Sequence, residues 1–307
     1  MFRSVRSWLA APMVIAAAAC STMPAADQSQ MQFVQAANVR THVETWGAGP
    51  PVLLIHGASS DMAVFAPTVI PLLKGSYQLT AYDRPGMGLT AQRPANADQL
   101  GEQAKVAAGV IEALGLKKPI IVAHSFGGAV ALRLALDRPD LVSGLVLMAP
   151  VAYEWPGGVA WHAYWSSNPL VGPLFNNVLA PPFTASAVRE GIKGTFAPMP
   201  VPPNYLEKAA VMRATRPGAM RASAEDLVAA KRELIAQQAR YRDIKVPVAI
   251  LSGDGDTVVS PTIHAAQLSK TLPNTKLVIL PGVGHVPHEA APEKVAELVE
   301  WVHAQAK

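Results

Sequence analysis

The sequence predicts an α/β protein: a mostly parallel sheet, doubly covered by helices, with an inserted and mainly helical cap. Three observations predict it. Short β-rich runs alternate along the chain with stretches of helical periodicity, the pattern of parallel strands joined by crossover helices. Several of those runs are almost continuously apolar, as strands buried on both faces must be. The alternation then breaks between about Val151 and Asp243, far longer than the roughly fifteen residues a plain connection tolerates.

In chain order, the strand-like runs are Val39 to Trp46, Pro51 to Ile55, Gln78 to Tyr82, Pro119 to Ala123, Leu141 to Met148, Pro247 to Ser252 and Lys276 to Leu280. Between the third and fourth, Leu100, Ala104, Ala107, Ile111 and Leu114 fall on one helix face. Near the end, Val295, Leu298, Val299 and Val302 do the same at spacings of three and four. The interrupted stretch holds Tyr153, Trp155, Trp161, Tyr164 and Trp165, with proline-rich turns at Pro181-Pro182 and Pro198 to Pro203. The division expected is a leader over 1–19, a tether over 20–30, a first core part over 31–150, a cap over 151–243 and a second core part over 244–307.

Composition narrows the function. Half of the 307 residues are hydrophobic and 16% are charged, which excludes a disordered chain. Lys and Arg number 26 against 22 Asp and Glu, too small and scattered an excess to suggest a nucleic-acid partner. One cysteine cannot form an internal disulfide or a multi-thiolate metal site.

The chain opens with Arg3 and Arg6 and no acid, followed by the uncharged run Trp8 to Ala19. That is the pattern of an export signal, too short for the roughly twenty residues of a membrane span. Ala17-Ala18-Ala19-Cys20 then resembles the lipobox of bacterial lipoproteins, with Ala17 where leucine is usual. The resemblance implies lipidation of Cys20, a membrane anchor facing the periplasm, and, with Ser21 next, the outer membrane. Ser21 to Gln30 reads as the polar tether. Cleavage by an ordinary signal peptidase after Ala26 is the alternative, and Pro24 fits it poorly.

The most informative stretch is Pro119-Ile-Ile-Val-Ala-His-Ser-Phe-Gly-Gly128, a buried strand entering a tight turn at Ser125 and running on into a helix. Small residues two before and two after a serine allow a strained strand-to-helix turn that exposes the hydroxyl. Ala123 stands for the first glycine of G-x-S-x-G and Gly127 keeps the second. Here the chain resembles the α/β-hydrolase superfamily, from about Phe33 to Val302 apart from the cap. Four further motifs fall in that superfamily's order. Ile55-His56-Gly57-Ala58 resembles its oxyanion loop, implying the N–H groups of Ala58 and Phe126 as donors to a developing oxyanion. Such donors are worth roughly 3 to 4 kcal/mol each. Tyr82-Asp83-Arg84-Pro85-Gly86-Met87-Gly88 resembles its D-x-R-G-x-G turn, read as a structural element. Leu251-Ser252-Gly253-Asp254-Gly255-Asp256 carries the acid, and the G-x-x-D pattern picks Asp256 over Asp254. Pro281-Gly282-Val283-Gly284-His285 resembles the loop of the catalytic histidine.

A serine hydroxyl needs an imidazole to take its proton, and the imidazole needs a carboxylate to fix its tautomer. Ser125, Asp256 and His285 are therefore the expected triad. His56 and His124 are motif positions expected to support the two loops, and His162 is expected on the cap surface or lining a pocket. His42, His264 and His303 carry no signal. His288 with Glu289 suggests a metal pair, but Pro287 denies it helical spacing and no H-E-x-x-H follows. No cofactor is expected.

The resemblance implies a serine hydrolase acting on carboxylic esters through an acyl-enzyme, with perhydrolase or amidase activity open on the same groups. Subfamilies with an aspartate at the elbow, haloalkane dehalogenases and epoxide hydrolases, are disfavoured by Ser125. The carbon-carbon hydrolases carry a Gly-Pro-Gly oxyanion loop where this chain has Ala58-Ser59-Ser60-Asp61. The aromatic cap suggests a partly closed apolar pocket for a small or medium hydrophobic ester; alternatively its tryptophans pack the cap's own core. A non-enzymatic binding protein on this fold is the other class, and the complete triad argues against it.

Overall fold

A computed structural model describes residues 30–306. The expected leader, Cys20 and nearly all of the tether lie outside the described residues. The described residues form one eight-stranded sheet in the order β1-β2-β4-β3-β5-β6-β7-β8. The strands are β1 (Gln30–Ala36), β2 (Val39–Trp46), β3 (Pro51–Ile55), β4 (Gln78–Tyr82), β5 (Ile120–His124), β6 (Gly144–Met148), β7 (Val248–Gly253) and β8 (Thr275–Leu280). β2 pairs antiparallel with β1 and β4, and every other pair is parallel.

Two differences from the expectation exceed a one-residue shift of a strand end. β6 begins at Gly144 because Pro139–Leu141 forms a short 3-10 turn, favoured by the proline at its start. β1 had no place in the expected strand set, although Met31-Gln32-Phe33-Val34-Gln35 loosely alternates apolar and polar side chains. It is an edge strand: Met31 and Phe33 are exposed, and Val34 and Ala36 meet the core.

β3, β5, β6 and β7 form the centre, and β5, β6 and β7 are buried at every residue. Successive side chains alternate between two cores because strand side chains alternate between faces. Leu53, Ile55, Ile121, Leu145 and Leu147 meet helices Leu100–Ala113 and Phe126–Asp137 on one face. Val52, Leu54, Val122 and Val146 meet helices Val69–Leu73 and Pro292–Gln305 on the other. Leu100, Ala104, Ala107 and Ile111, and likewise Val295, Leu298, Val299 and Val302, are the buried faces of their helices.

Between β6 and β7 the chain builds helices Trp161–Ser167, Pro181–Phe196 and Pro217–Gln238. The last of these is shared with the main body. Ala230 and Leu234 join the core of the sheet, and Gln237 donates to Ala129 O at 3.1 Å. The sheet order reverses around β3, whose neighbours are β4 and β5. Ligands of open α/β sheets sit beyond the carboxyl ends of strands at such a reversal. Here those ends lead into His56-Gly57-Ala58 and Ser125.

Candidate active site

β5 ends at His124, and helix Phe126–Asp137 begins one residue after Ser125. Ser125 therefore carries the whole turn, at φ 53° and ψ −121°, a region costly for a residue with a side chain. The turn is held from three sides: Ser125 N–H donates to Met148 O at 2.9 Å, and its carbonyl accepts from Gly128 at 2.9 Å and Val151 at 3.0 Å. Gly127 is forced by packing, since a Cβ there would lie 2.4 Å from Ile55 O. The smallness of the elbow positions thus follows from how closely the helix start approaches β3.

Ser125 Oγ lies 2.9 Å from His285 Nε2, and His285 Nδ1 lies 2.7 Å from Asp256 Oδ2. All three side chains are buried. The other carboxylate oxygen of Asp256 accepts from the N–H groups of Val258 at 2.8 Å and Val259 at 2.9 Å, which fixes its orientation. Asp254 is turned outward, where its Oδ1 accepts from Gly282 N–H at 2.6 Å and ties the loop after β7 to the loop after β8. Of the two acids in this loop, Asp256 stands at His285. The loop of His285 is itself held by the cap, because His285 N–H donates to Thr195 O at 2.8 Å.

Phe126 is the first residue of its helix, so its N–H has no intrahelical acceptor. Ala58 follows Gly57, and a Cβ on Gly57 would lie 3.1 Å from Ser125 Cβ, so the β3 loop runs directly against the elbow. Ser59, at φ 51°, is pinned to the cap: its N–H and Oγ both bond Ser223 Oγ, at 3.0 and 2.7 Å.

Behind this loop lies a network that the sequence reading missed. Arg84 is fully buried and donates from Nε to His56 O at 3.1 Å and from NH2 to Gly57 O at 2.8 Å. Its NH1 reaches Gln103 at 2.6 Å and Asp226 at 2.7 Å, and its guanidinium lies 4.7 Å from the centre of the Phe126 ring. Asp226, on helix Pro217–Gln238, also accepts from Arg93 at 2.8 Å and Gln103 at 2.9 Å. One buried carboxylate of the cap region therefore holds the arginine that holds the His56-Gly57 loop after β3. The signal was present as an acid amid the small buried residues Ala222, Ser223, Ala229 and Ala230.

The turn before Arg84 is organised by Asp83, which accepts from His42 Nδ1, Met62 N–H and Leu89 N–H at 2.8, 3.0 and 2.7 Å. Burial pushes its carboxyl pKa up, but the hydrogen bond from His42 and the other donors outweigh that and hold it below the usual range. Gly88, at φ +51°, leaves no room for a Cβ beside the Asp83 carboxylate.

Burial pushes four further histidines, His56, His124, His264 and His288, toward the neutral form. Burial, aided by Arg84, lowers His56 to about 3, and its Nε2 accepts from Arg84 N–H at 3.0 Å. His124 is pushed well down by burial and then by His288 and His285, and its Nε2 lies 2.8 Å from His285 O. Burial lowers His288 to about 3; it meets His124 edge-on with ring centres 4.6 Å apart, and neither ring nitrogen has a hydrogen-bond partner. His264, which carried no sequence signal, accepts the N–H groups of Ala152 and Tyr153 at 3.2 and 3.1 Å where the chain leaves the core. Burial lowers it to about 4. His303 meets Tyr77 edge-on, and His162 is exposed beside Trp161.

The cap aromatics divide in a way neither expectation anticipated. Trp155 packs against the main core, Tyr153 is buried, and Trp161, Tyr164 and Trp165 face solvent. A small separate core instead joins Phe196, Tyr205, Ala209 and Val211 of the cap to Val286, next to His285.

The profile of the Alpha/beta hydrolase family matches residues 52–298. The chain belongs to that family. Among curated relatives, it is 28% identical to haloalkane dehalogenase 2 of Mycobacterium bovis, over 85% of this chain and 90% of that one. It is also 28% identical to 2-(acetamidomethylene)succinate hydrolase of Mesorhizobium japonicum, over 88% of this chain and 93% of that one. Among solved structures, Cfl2 from Burkholderia cenocepacia superposes with a TM-score of 0.75 at 20% identity, over 91% of this chain and 98% of that one. That last likeness speaks to the fold alone. With the family and the structural match, this chain has the fold of a hydrolase of the α/β-hydrolase superfamily.

Proposed function

We propose that the chain is a serine hydrolase that cleaves small to medium carboxylic esters, with a hydrophobic acyl or alcohol group, through an acyl-enzyme. The observation that carries this is the hydrogen-bonded line from Ser125 Oγ through the His285 ring to Asp256. His285 Nε2 takes the Ser125 proton as Oγ attacks the ester carbonyl, and Asp256 balances the charge that develops on the ring. The tetrahedral oxyanion accepts from the N–H groups of Ala58 and Phe126. Collapse returns the proton to the departing alcohol, leaving Ser125 acylated. Water, deprotonated by His285, then releases the acid.

The serine separates this chain chemically from the relative named for haloalkanes. Displacing a halide with a serine hydroxyl would leave an ether, which water does not open, whereas an acylated serine is an ester that water does. The names of the relatives cover more than one bond type, so the test is a screen of short-chain aryl esters, amides and carbon-carbon substrates against the Ser125→Ala control. Ester cleavage lost in the control supports the reading. Failure to cleave any ester, with no labelling of Ser125 by a serine-directed phosphonate, removes it.

We also propose export and lipid anchoring through Cys20, on the strength of its position after an Arg-flanked apolar run. Fatty-acid labelling in cells should disappear in Cys20→Ser, and labelling that persists would remove the anchor.

A further inference from the structure

From Trp155 to Val188 the chain runs for 34 residues without an Asp, Glu, Lys or Arg. This segment is not interior. Trp161 is 67%, Leu170 88% and Phe183 72% exposed, and Trp165, Leu174 and Val178 are exposed with them. Single exposed apolar side chains are ordinary, but a contiguous group marks a contact surface.

The aromatic part of this surface is contiguous because the segment folds on itself. Trp161 and Trp165 stand one helical turn apart and both pack against Phe175, with ring centres 6.3 and 6.2 Å away. Inside, Ser166 Oγ donates to Asn176 Oδ1 at 2.7 Å and Asn176 Nδ2 donates to Ser166 O at 2.9 Å, both buried. Ser166 and Asn176 are turned in and satisfied while Trp161, Trp165, Leu174 and Val178 are turned out, with His162, Asn168 and Asn177 exposed among them. That reverses the usual arrangement of a surface helix.

We propose that this face docks on a lipid bilayer, lying in the interfacial layer without crossing it. Among the described residues no helix is long and apolar enough to span a membrane, which leaves in-plane contact for the short helices here. Indole and phenol rings such as those of Trp161, Tyr164 and Trp165 have an apolar body and a polar tip, the chemistry that settles at the headgroup level. The chain outside the described residues points to the same partner. It holds the uncharged run Trp8 to Ala19 and then Cys20, and the eleven residues from Cys20 to Gln30 can reach at most ~36 Å. With Cys20 lipidated as proposed above, a body tethered that closely would meet the bilayer at high effective concentration, so that a modest apolar contact would suffice to orient it. The proposal rests on the surface of the cap and is independent of the chemistry at Ser125.

The test uses the full chain, purified without lipidation, and vesicles of phosphatidylcholine with brominated acyl chains. The wild type should float with the vesicles, and high salt should not release it because the contact is apolar. Leu170→Glu with Phe183→Glu should lower the vesicle partition coefficient by at least about tenfold, the cost of placing charges in an interfacial apolar face. Bromine quenching should shrink in Trp161→Phe with Trp165→Phe while flotation persists, which locates the contact at these rings. Thermal unfolding in solution checks that the variants are folded, and hydrolysis of a water-soluble aryl ester is followed in parallel. Flotation unchanged by the glutamates, or quenching that ignores Trp161 and Trp165, overturns the proposal. So does concentration-dependent self-association, abolished by the same glutamates, in a chain that does not float; the face would then belong to a second copy. Loss of hydrolysis in every form, with flotation intact, would remove the hydrolase reading and leave the docking surface standing.

Discussion

Around Ser125 the backbone is tied at each turn. The elbow carbonyl takes two hydrogen bonds, Asp256 uses both carboxylate oxygens, and the loop after β3 is held by Arg84 from behind and Ser223 from the cap. Between Trp155 and Val188 the large side chains mostly face outward, and the buried polar contacts reduce to the Ser166–Asn176 pair. The first region spends buried polar groups to hold one geometry, which chemistry requires. The second leaves apolar surface unpaired, which costs solubility and makes sense only for something it meets. Ties from the cap to the first region, Asp226 to Arg84, Ser223 to Ser59 and Thr195 to the His285 loop, all come from outside the Trp155–Val188 segment.

The largest expected effect lies in the first region. Ser125→Ala should lower kcat on a cleaved ester by about 10⁴-fold or more, leaving the small residual rate of a site without its nucleophile. Steady-state kinetics with unchanged thermal unfolding is the measurement. Activity within tenfold of wild type would mean that the hydrogen-bonded line does no chemistry. Asp256→Asn should cost about 10³- to 10⁴-fold by disturbing the tautomer of His285, whereas Asp254→Asn, which only loosens a turn, should cost little. The reverse outcome would move the acid to Asp254.

Next comes the link from the rest of the cap to the first region. Asp226→Ala leaves Arg84 and Arg93 without their buried carboxylate, and removing one partner of a buried pair typically costs about 3 to 5 kcal/mol. Urea unfolding should show that loss, and kcat should fall with KM little changed, since the carbonyls of His56 and Gly57 lose a fixed donor. A change below about 1 kcal/mol would show the network to be replaceable by water.

Smaller still is a pH effect. His288 is lowered from 6.5 to about 3 by burial. A histidine whose folded pKa is depressed is charged more readily when unfolded. Its stabilising share is therefore present above pH 6.5 and is lost as pH falls from there toward about 3. Each such group adds one proton to the slope, about 1.4 kcal/mol per pH unit. Neither ring nitrogen has a partner, so His288→Leu forfeits no hydrogen bond. The variant should unfold in acid with a slope about one proton shallower between pH 4 and 6. An unchanged slope would place the titration elsewhere, at His56 or His124.

What could be read beforehand follows from these rules. Strands β3, β5, β6 and β7 were legible because burial on both faces makes apolar runs. The elbow was legible because backbone crowding at Gly127 leaves no other residue. β1 was missed because an edge strand buries too little to pattern its sequence. Arg84 and Asp226, 142 positions apart, were missed as a pair because a buried ion pair leaves only two ordinary charged letters. The cap aromatics were read as pocket or core because an exposed tryptophan and a buried one look alike in a sequence.

The smallest predicted effect is the most specific to the second region. Replacing Leu170 or Phe183 by Ser should change the unfolding free energy in solution by no more than about 0.5 kcal/mol, the range of surface substitutions that break no packing. The contrast with Asp226→Ala is the point: a large apolar side chain removed at almost no cost is one the folded chain does not use. If either serine variant instead loses 2 kcal/mol or more, of the order of a buried large-to-small substitution, the segment closes over that side chain in solution. Its exposure would then be one state of a lid, and the same urea titration, repeated with phosphatidylcholine vesicles, would show whether lipid opens it.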